Sequence, residues 1–187
     1  ERTRVVADAI RKAIQLSTGM NALEYGCGTG LLSFALQSDL GQITLADSSQ
    51  GMLDVLSEKI NEAGVTNMRP VRLDLTNDPL PDEHYQLTYS LLTLHHVHDA
   101  KSIIPKFHAL LEPNGYLLVA DLDKEDGSFH TDGTTDVHRG FERTELKKWV
   151  EDAGFGNVMF STAFEIRKTI DDKEKVFPVF LMSAQKI

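Results

Sequence analysis

Residues 22–30 have the sequence Ala-Leu-Glu-Tyr-Gly-Cys-Gly-Thr-Gly, a short apolar run that passes into three alternating glycines. The residues that follow, 31–36, are mostly apolar and predict the first turns of a helix. Glycine permits backbone angles and a close ligand approach that a Cβ atom would obstruct, and the open N-terminus of the helix would then face the ligand. This stretch predicts a strand, a glycine-rich loop and a helix that bind a small molecule through backbone atoms.

The rest of the chain alternates predicted strands with predicted helices. Apolar residues recur every three or four positions in a first helix that includes Val6 and Ile10, and again in later segments between the strands. We predict further strands over residues 42–47, 68–73, 85–90, 116–121, 157–166 and 176–186. The last two flank a charged turn, 171–175, which predicts an antiparallel hairpin. Together these elements predict an α/β fold with a mostly parallel sheet, covered on both faces, in a single domain over residues 1–187.

Amino-acid composition limits the binding partners and the cellular compartment that we expect for this chain. The chain has 187 residues, 41% of them hydrophobic, and a formal net charge of -9, which disfavours binding of nucleic-acid phosphates. Cys27 is the only cysteine, so an intramolecular disulfide and a thiolate zinc cluster are excluded and a reducing, cytoplasmic location is expected. Apolar runs are too short to span a bilayer, so we expect no membrane association.

Three carboxylates stand at or near the ends of the first three predicted strands: Glu24, Asp47 and Asp74. In an open parallel sheet these ends share the crevice in which ligands bind. The third glycine of the loop comes one position too early for a dinucleotide-binding pattern, and the lysine of a phosphate-binding loop is absent from the sequence after the glycines. Three acids suit a ligand that carries hydroxyls, amines or positive charge.

These motifs, in this order and spacing, resemble the class I S-adenosylmethionine-dependent methyltransferases over nearly the whole chain. The resemblance implies a Rossmann-like three-layer α/β/α sandwich with seven strands in the order 3-2-1-4-5-7-6, the last of them antiparallel. It also implies S-adenosylmethionine as cofactor, with Asp47 holding the ribose hydroxyls and Asp74 the adenine amine. The cofactor-binding residues that it implies are Glu24, Gly26, Cys27, Gly28, Gly30, Asp47, Ser48, Met52, Asp74, Leu75, Ser90 and Leu91.

Methyl transfer from a sulfonium mainly requires alignment, and a base helps when the acceptor is a hydroxyl or an acidic carbon. Histidine titrates near neutral pH, and the candidates for the base or for the acceptor pocket are His95, His96, His130 and His138. The spacing His95-His96-x-His98 fits no standard zinc pattern, so we expect no metal, although a site built from His130, His138 and an acid is an alternative. The polar segment 123–140 lacks periodicity and is predicted to be a lid over the acceptor.

The function expected from the sequence is methyl transfer to a small-molecule acceptor by in-line displacement. Two alternatives stay open: a regulatory protein that binds the cofactor without catalysis, and a nicotinamide-dependent oxidoreductase. The glycine spacing argues against the second alternative. Retention of the binding motifs would fit the first alternative equally well.

Overall fold

The computed structural model of the chain describes residues 2–130 and 137–187. Its centre is a seven-stranded sheet in the order β3-β2-β1-β4-β5-β7-β6, which confirms the predicted fold. The strands are β1 (Ala22–Tyr25), β2 (Ile43–Asp47), β3 (Met68–Arg72), β4 (Tyr85–Leu91), β5 (Leu111–Leu122), β6 (Phe155–Ile170) and β7 (Lys173–Lys186). The helices are α1 (Arg2–Ala13), α2 (Leu31–Leu36), α3 (Gln50–Ala63), α4 (Ala100–Leu110) and α5 (Arg143–Asp152), and a 3-10 turn covers Leu94–His96.

Helices cover both faces of the sheet, as the alternating pattern predicts. Helices α1, α2 and α3 pack on one face, and α4 and α5 pack on the other. Strand β5 shows the two-residue period that this requires, because Leu118 and Ala120 join the first core while Leu117 and Val119 join the second. Among the described residues, no helix combines the length and apolar character needed to cross a membrane.

Strands β1 to β5 are parallel, whereas β7 runs antiparallel to both β5 and β6. The carboxyl ends of the parallel strands therefore meet at one edge of the sheet. Strand β7 begins three residues earlier than the sequence predicts. Asp171 and Asp172 both have positive φ, which makes a two-residue hairpin turn, and Arg167 pairs with Glu174 across the strands at 2.9 Å.

The β6–β7 hairpin extends beyond the carboxyl end of β5, where Leu122 pairs with Val179. The chain that leaves β5 packs against this extension through Phe129, which is buried and lies 5.2 Å from the ring of Phe177. The Lys168 ammonium lies 3.8 Å from the centre of the Phe129 ring. The first part of the predicted lid is therefore anchored to the hairpin, and residues 131–136 of that segment lie outside the described residues.

Candidate functional site

The glycine loop after β1 is a left-handed turn fixed by backbone hydrogen bonds. Gly26, Gly28 and Gly30 have φ values of 70°, 51° and 75°, a region that favours glycine. The amides of Gly26 and Cys27 both donate to the Ala46 carbonyl, at 2.8 and 3.0 Å. A Cβ on Gly26 would lie 2.1 Å from Thr93, and one on Gly30 would meet the core, whereas one on Gly28 would meet no atom within 4 Å. Gly28 is thus the glycine that faces open space.

Asp47, at the end of β2, connects this turn to the next helix. Its Oδ2 accepts from the Gly28 amide at 2.8 Å, and its Oδ1 accepts from the Ser49 amide at 2.9 Å. Ser49 in turn caps α3, because its hydroxyl accepts from the Met52 amide at 3.4 Å. One carboxylate therefore fixes two backbone segments, and its remaining lone pairs stay available to a ligand.

Asp74, which follows β3, is held as an anion by its own loop. Burial by itself raises the pKa of this carboxyl, but hydrogen bonds from Asn77 and Thr76 outweigh it and lower the pKa below its ordinary value. The Asn77 side-chain nitrogen donates at 2.8 Å and the Thr76 amide at 2.9 Å. Two carboxylates therefore stand at this edge of the sheet, at the ends of neighbouring strands.

A cavity of about 550 Å³ opens between these groups, a size typical of small-molecule sites. The residues named from the sequence that line it are Gly26, Gly28, Asp47, Ser48, Met52, Asp74 and His96. The lining residues that the sequence analysis did not name as site residues are Tyr25, Ser49, Leu73, Thr76, Leu92, Thr93, Val97 and His98. Most of these are immediate neighbours of motif residues, which is the signal that could have found them. A second cavity, of about 610 Å³, lies between α1 and the hairpin and shares no residue with the glycine turn.

Several residues that the sequence analysis assigns to cofactor binding do not line this cavity. They are buried or half-buried within the loop and strand packing: Glu24, Cys27, Gly30, Leu75, Ser90 and Leu91. Glu24 is covered because β1 is an interior strand, between β2 and β4, and its carboxyl group accepts from the Ser33 hydroxyl, which also bonds to the Tyr89 hydroxyl. Burial raises the pKa of Glu24 to about 8, against the opposing hydrogen bond from Ser33. Burial likewise raises the pKa of the Cys27 thiol.

Three of the four candidate histidines form one cluster beside the cavity. The ring centre of His95 lies 4.1 Å from that of His96 and 5.3 Å from that of His130. His95 is buried, and its Nδ1 lies 2.6 Å from Oδ1 of Asp121, at the end of β5. His138 lies apart from the cluster: its ring stacks on Phe141 and its amide donates to the His95 carbonyl at 2.7 Å.

The fold and the cavity together place a space of small-molecule size at the carboxyl edge of a seven-stranded sheet. Residues 22–115 match the family described as "Methyltransferase domain", which is half of the chain, and the chain belongs to that family. It is 36% identical over 120 residues to an uncharacterized methyltransferase of Schizosaccharomyces pombe, covering 60% of this chain and 42% of that protein. It is 34% identical over 110 residues to the ubiquinone/menaquinone biosynthesis C-methyltransferase UbiE of Shewanella sediminis, covering 57% of this chain and 44% of that protein.

The matched region thus spans less than half the length of these curated relatives. Among solved structures, an S-adenosylmethionine-dependent methyltransferase of Aquifex aeolicus superposes with a TM-score of 0.74 at 20% identity, over 100% of this chain and 93% of that one. This likeness concerns the fold. The chain is a methyltransferase domain, and S-adenosylmethionine is the cofactor for which the Aquifex aeolicus protein is named.

The residues at the cavity fit this cofactor. The space in front of Gly28 is open, so a ligand can approach the backbone there. Asp47 and Asp74 supply carboxylate oxygens for hydroxyl and amine groups, and the Met52 and Leu73 side chains supply apolar surface for a base. The two carboxylates also favour a ligand with positive charge over one with a pyrophosphate.

We expect Gly28→Ala to weaken the binding of S-adenosylhomocysteine at least tenfold while the protein still folds. The added methyl meets no protein atom, so its cost to stability is limited to the left-handed backbone, about 1–2 kcal/mol. Gly26→Ala is the contrasting variant, because its Cβ would collide with Thr93 and disrupt the turn itself. Calorimetry and thermal unfolding on both variants separate the two effects. Normal binding by a folded Gly28→Ala protein would place the cofactor elsewhere.

We expect Glu24→Gln to remove a pH dependence of stability. The folded chain holds the Glu24 proton up to a pKa of about 8, whereas the unfolded chain loses it near the ordinary glutamate pKa of 4.5. Stability is therefore fullest below pH 4.5 and decreases as pH rises towards 8, by about 3 kcal/mol between pH 5 and pH 8. Urea unfolding at the two pH values measures this, with exposed Glu62→Gln as control. An equal pH dependence in wild type and Glu24→Gln would contradict it.

Proposed function

We propose that the chain transfers a methyl group from S-adenosylmethionine to a small-molecule acceptor. The observation that carries this proposal is that two sets of residues line the same cavity. The glycine turn with Asp47 and Asp74 forms one side, and a wall that includes His96 and His98 forms the other. The first side has the groups that a cofactor needs, and the second is left for the acceptor.

The cofactor side is proposed to act through a small number of contacts. Asp47 would accept from the ribose hydroxyls, since each of its oxygens now accepts one backbone amide and has a further lone pair. Asp74 would accept from the adenine amine, and Met52 would pack against the ring. When bound, S-adenosylmethionine supplies a methyl group on a sulfonium, a good leaving group. The task of the chain's residues is then to align the acceptor and to exclude water.

A small acceptor is favoured over a macromolecule. The net charge of -9 opposes a polynucleotide, and the cavity of about 550 Å³ has the volume of a small-molecule site. The relative UbiE is named for quinone biosynthesis, which also concerns a small molecule. We therefore propose a small metabolite, positioned against the 3-10 turn that carries His95 and His96.

His95 supports the acceptor side from behind. Its Nδ1 is held by the Asp121 carboxylate, which also accepts from the Leu122 amide at 2.8 Å. When Nδ1 carries the proton of that hydrogen bond, Nε2 of the neutral ring keeps its lone pair and can take a proton or a cation. The Asp121 carboxylate thus sets which nitrogen of His95 is available.

Asp47→Ala is expected to weaken S-adenosylhomocysteine binding roughly ten- to a hundredfold. A hydrogen bond to a charged group contributes on the order of 1.5 to 3 kcal/mol, and the variant also frees the Gly28 and Ser49 amides. Asp82→Ala, an exposed carboxylate outside the cavity, changes the net charge equally and should bind as wild type does. Unchanged calorimetric affinity in a folded Asp47→Ala protein would argue against the assigned ribose contact.

The activity is tested by incubating the chain with methyl-labelled S-adenosylmethionine and pools of hydroxylated, amine and thiol metabolites, with protein and RNA pools in parallel. Label is expected in a small-molecule product and is expected to be lost with Asp47→Ala. Label in protein or RNA would overturn the small-molecule proposal. Tight S-adenosylhomocysteine binding with no labelled product in any pool would instead indicate the regulatory alternative.

A further inference from the structure

We infer that His95, His96 and His130 form a binding site for a divalent transition-metal ion on the acceptor side of the cavity. Each of the three rings offers one nitrogen, and these atoms lie within 4.8 Å of one another. A tetrahedral ion with metal–nitrogen bonds of 2.0–2.1 Å holds its ligands about 3.4 Å apart. The distances between the three nitrogens therefore need to shorten by about 1.4 Å at most.

The second observation that points to a ligand is the buried Nε2 of His95. This atom has no hydrogen-bond partner among the described residues, although the residue is only 2% exposed. A buried polar atom without a protein partner is costly and is explained by a bound water, a bound ion or a catalytic role, and here two further histidine rings stand beside it. The opposite nitrogen, Nδ1, lies 2.6 Å from Asp121 Oδ1. Histidines that bind a metal through one ring nitrogen commonly donate from the other ring nitrogen to a carboxylate, which fixes the orientation of the ring. Asp121 and His95 have this arrangement, with Nε2 of His95 on the side of His96 and His130.

The burial of the Asp121 side chain gives a third reason. Its side chain is fully buried, and its partners among the described residues are the His95 ring and the backbone amides of His95 and Leu122. Taking a carboxylate out of water is unfavourable unless positive charge lies close to it. A cation on Nε2 of His95 would supply that charge through the imidazole ring.

The ligand set indicates which ion and which role. Three imidazole nitrogens suit Zn²⁺, Co²⁺, Ni²⁺ or Fe²⁺ and do not suit Mg²⁺ or Ca²⁺, which prefer oxygen. His96 is exposed and lines the cavity, so a fourth position would face the acceptor, as in catalytic rather than structural metal sites. Resting on the proposed function, the ion would bind a hydroxyl of the acceptor and lower its pKa. The O–H proton passes to solvent, and the oxygen becomes the nucleophile.

This site was missed by the sequence analysis because its ligands come from two distant segments. The described chain brings His130 to the 3-10 turn through Phe129, whose ring meets that of His95 at 6.2 Å and that of His130 at 5.0 Å. His98 and His138, the other histidines considered for a metal, interact with each other instead, since His138 Nε2 lies 2.9 Å from the His98 carbonyl.

The test is a titration of the chelator-treated chain with Co²⁺, followed by visible absorption and calorimetry. One ion is expected per chain, with the visible bands of a low-symmetry Co²⁺ site, and Mg²⁺ should not bind. His96→Asn and His130→Asn should each weaken Co²⁺ binding at least tenfold. The matched control is His84→Asn, outside the cluster, which should bind Co²⁺ as wild type does. Asp121→Asn keeps all three ligands and should weaken binding ten- to a hundredfold.

Co²⁺ spectra that are absent, or that are unchanged in His96→Asn and His130→Asn, would overturn the metal site. Both histidines are at least partly exposed, so these variants should fold, and thermal unfolding verifies this. S-adenosylhomocysteine binding and methyl transfer are measured on the same samples. Full methyl transfer without Co²⁺ binding would refute the metal site and leave the proposed function intact. Co²⁺ binding without methyl transfer to any acceptor would refute the proposed function and retain the metal site.

Discussion

The hydrogen bond from the Gly28 amide to Asp47 Oδ2, 2.8 Å long, is the interaction on which the site depends. It joins the turn after β1 to the end of β2, and the same carboxylate holds the Ser49 amide at the start of α3. A left-handed turn of alternating glycines is entropically expensive to order. Asp47 and the Ala46 carbonyl offset that cost together, because they satisfy three consecutive amides of the turn. Hydrogen bonds within the chain therefore hold the turn that borders the cavity.

The interior position of β1, between β2 and β4, has a consequence for the acid within the glycine motif. An interior strand of a sheet covered on both faces buries its side chains, so Glu24 packs against Ser33 and Tyr89 and does not line the cavity. The edge-ward strands β2 and β3 are less covered at their ends, and there Asp47 and Asp74 reach the ligand space. Three acids at corresponding strand ends therefore have two different environments.

Much of this architecture could be predicted from local patterns. Glycine spacing, apolar periodicity and the charged turn near Asp171 are each set within a few residues, whereas the strand order, which the structure confirms, was implied by the family resemblance. The early start of β7 at Lys173 is also a local detail, because it depends on Asp171 and Asp172 adopting positive φ. The burial of Glu24 could not be predicted from local patterns, because it depends on strands that pair from elsewhere in the chain.

The surroundings of the histidine cluster could not be predicted from local sequence either. His95 and His96 are adjacent in sequence, yet what surrounds them is decided by β5 and by the hairpin. Strand β5 places Asp121 behind His95, and the extension of β6–β7 holds Phe129, and with it His130, against the 3-10 turn. The side proposed for the cofactor is therefore built by the amino-terminal half of the sheet, and the side proposed for the acceptor by contacts from the carboxyl-terminal half.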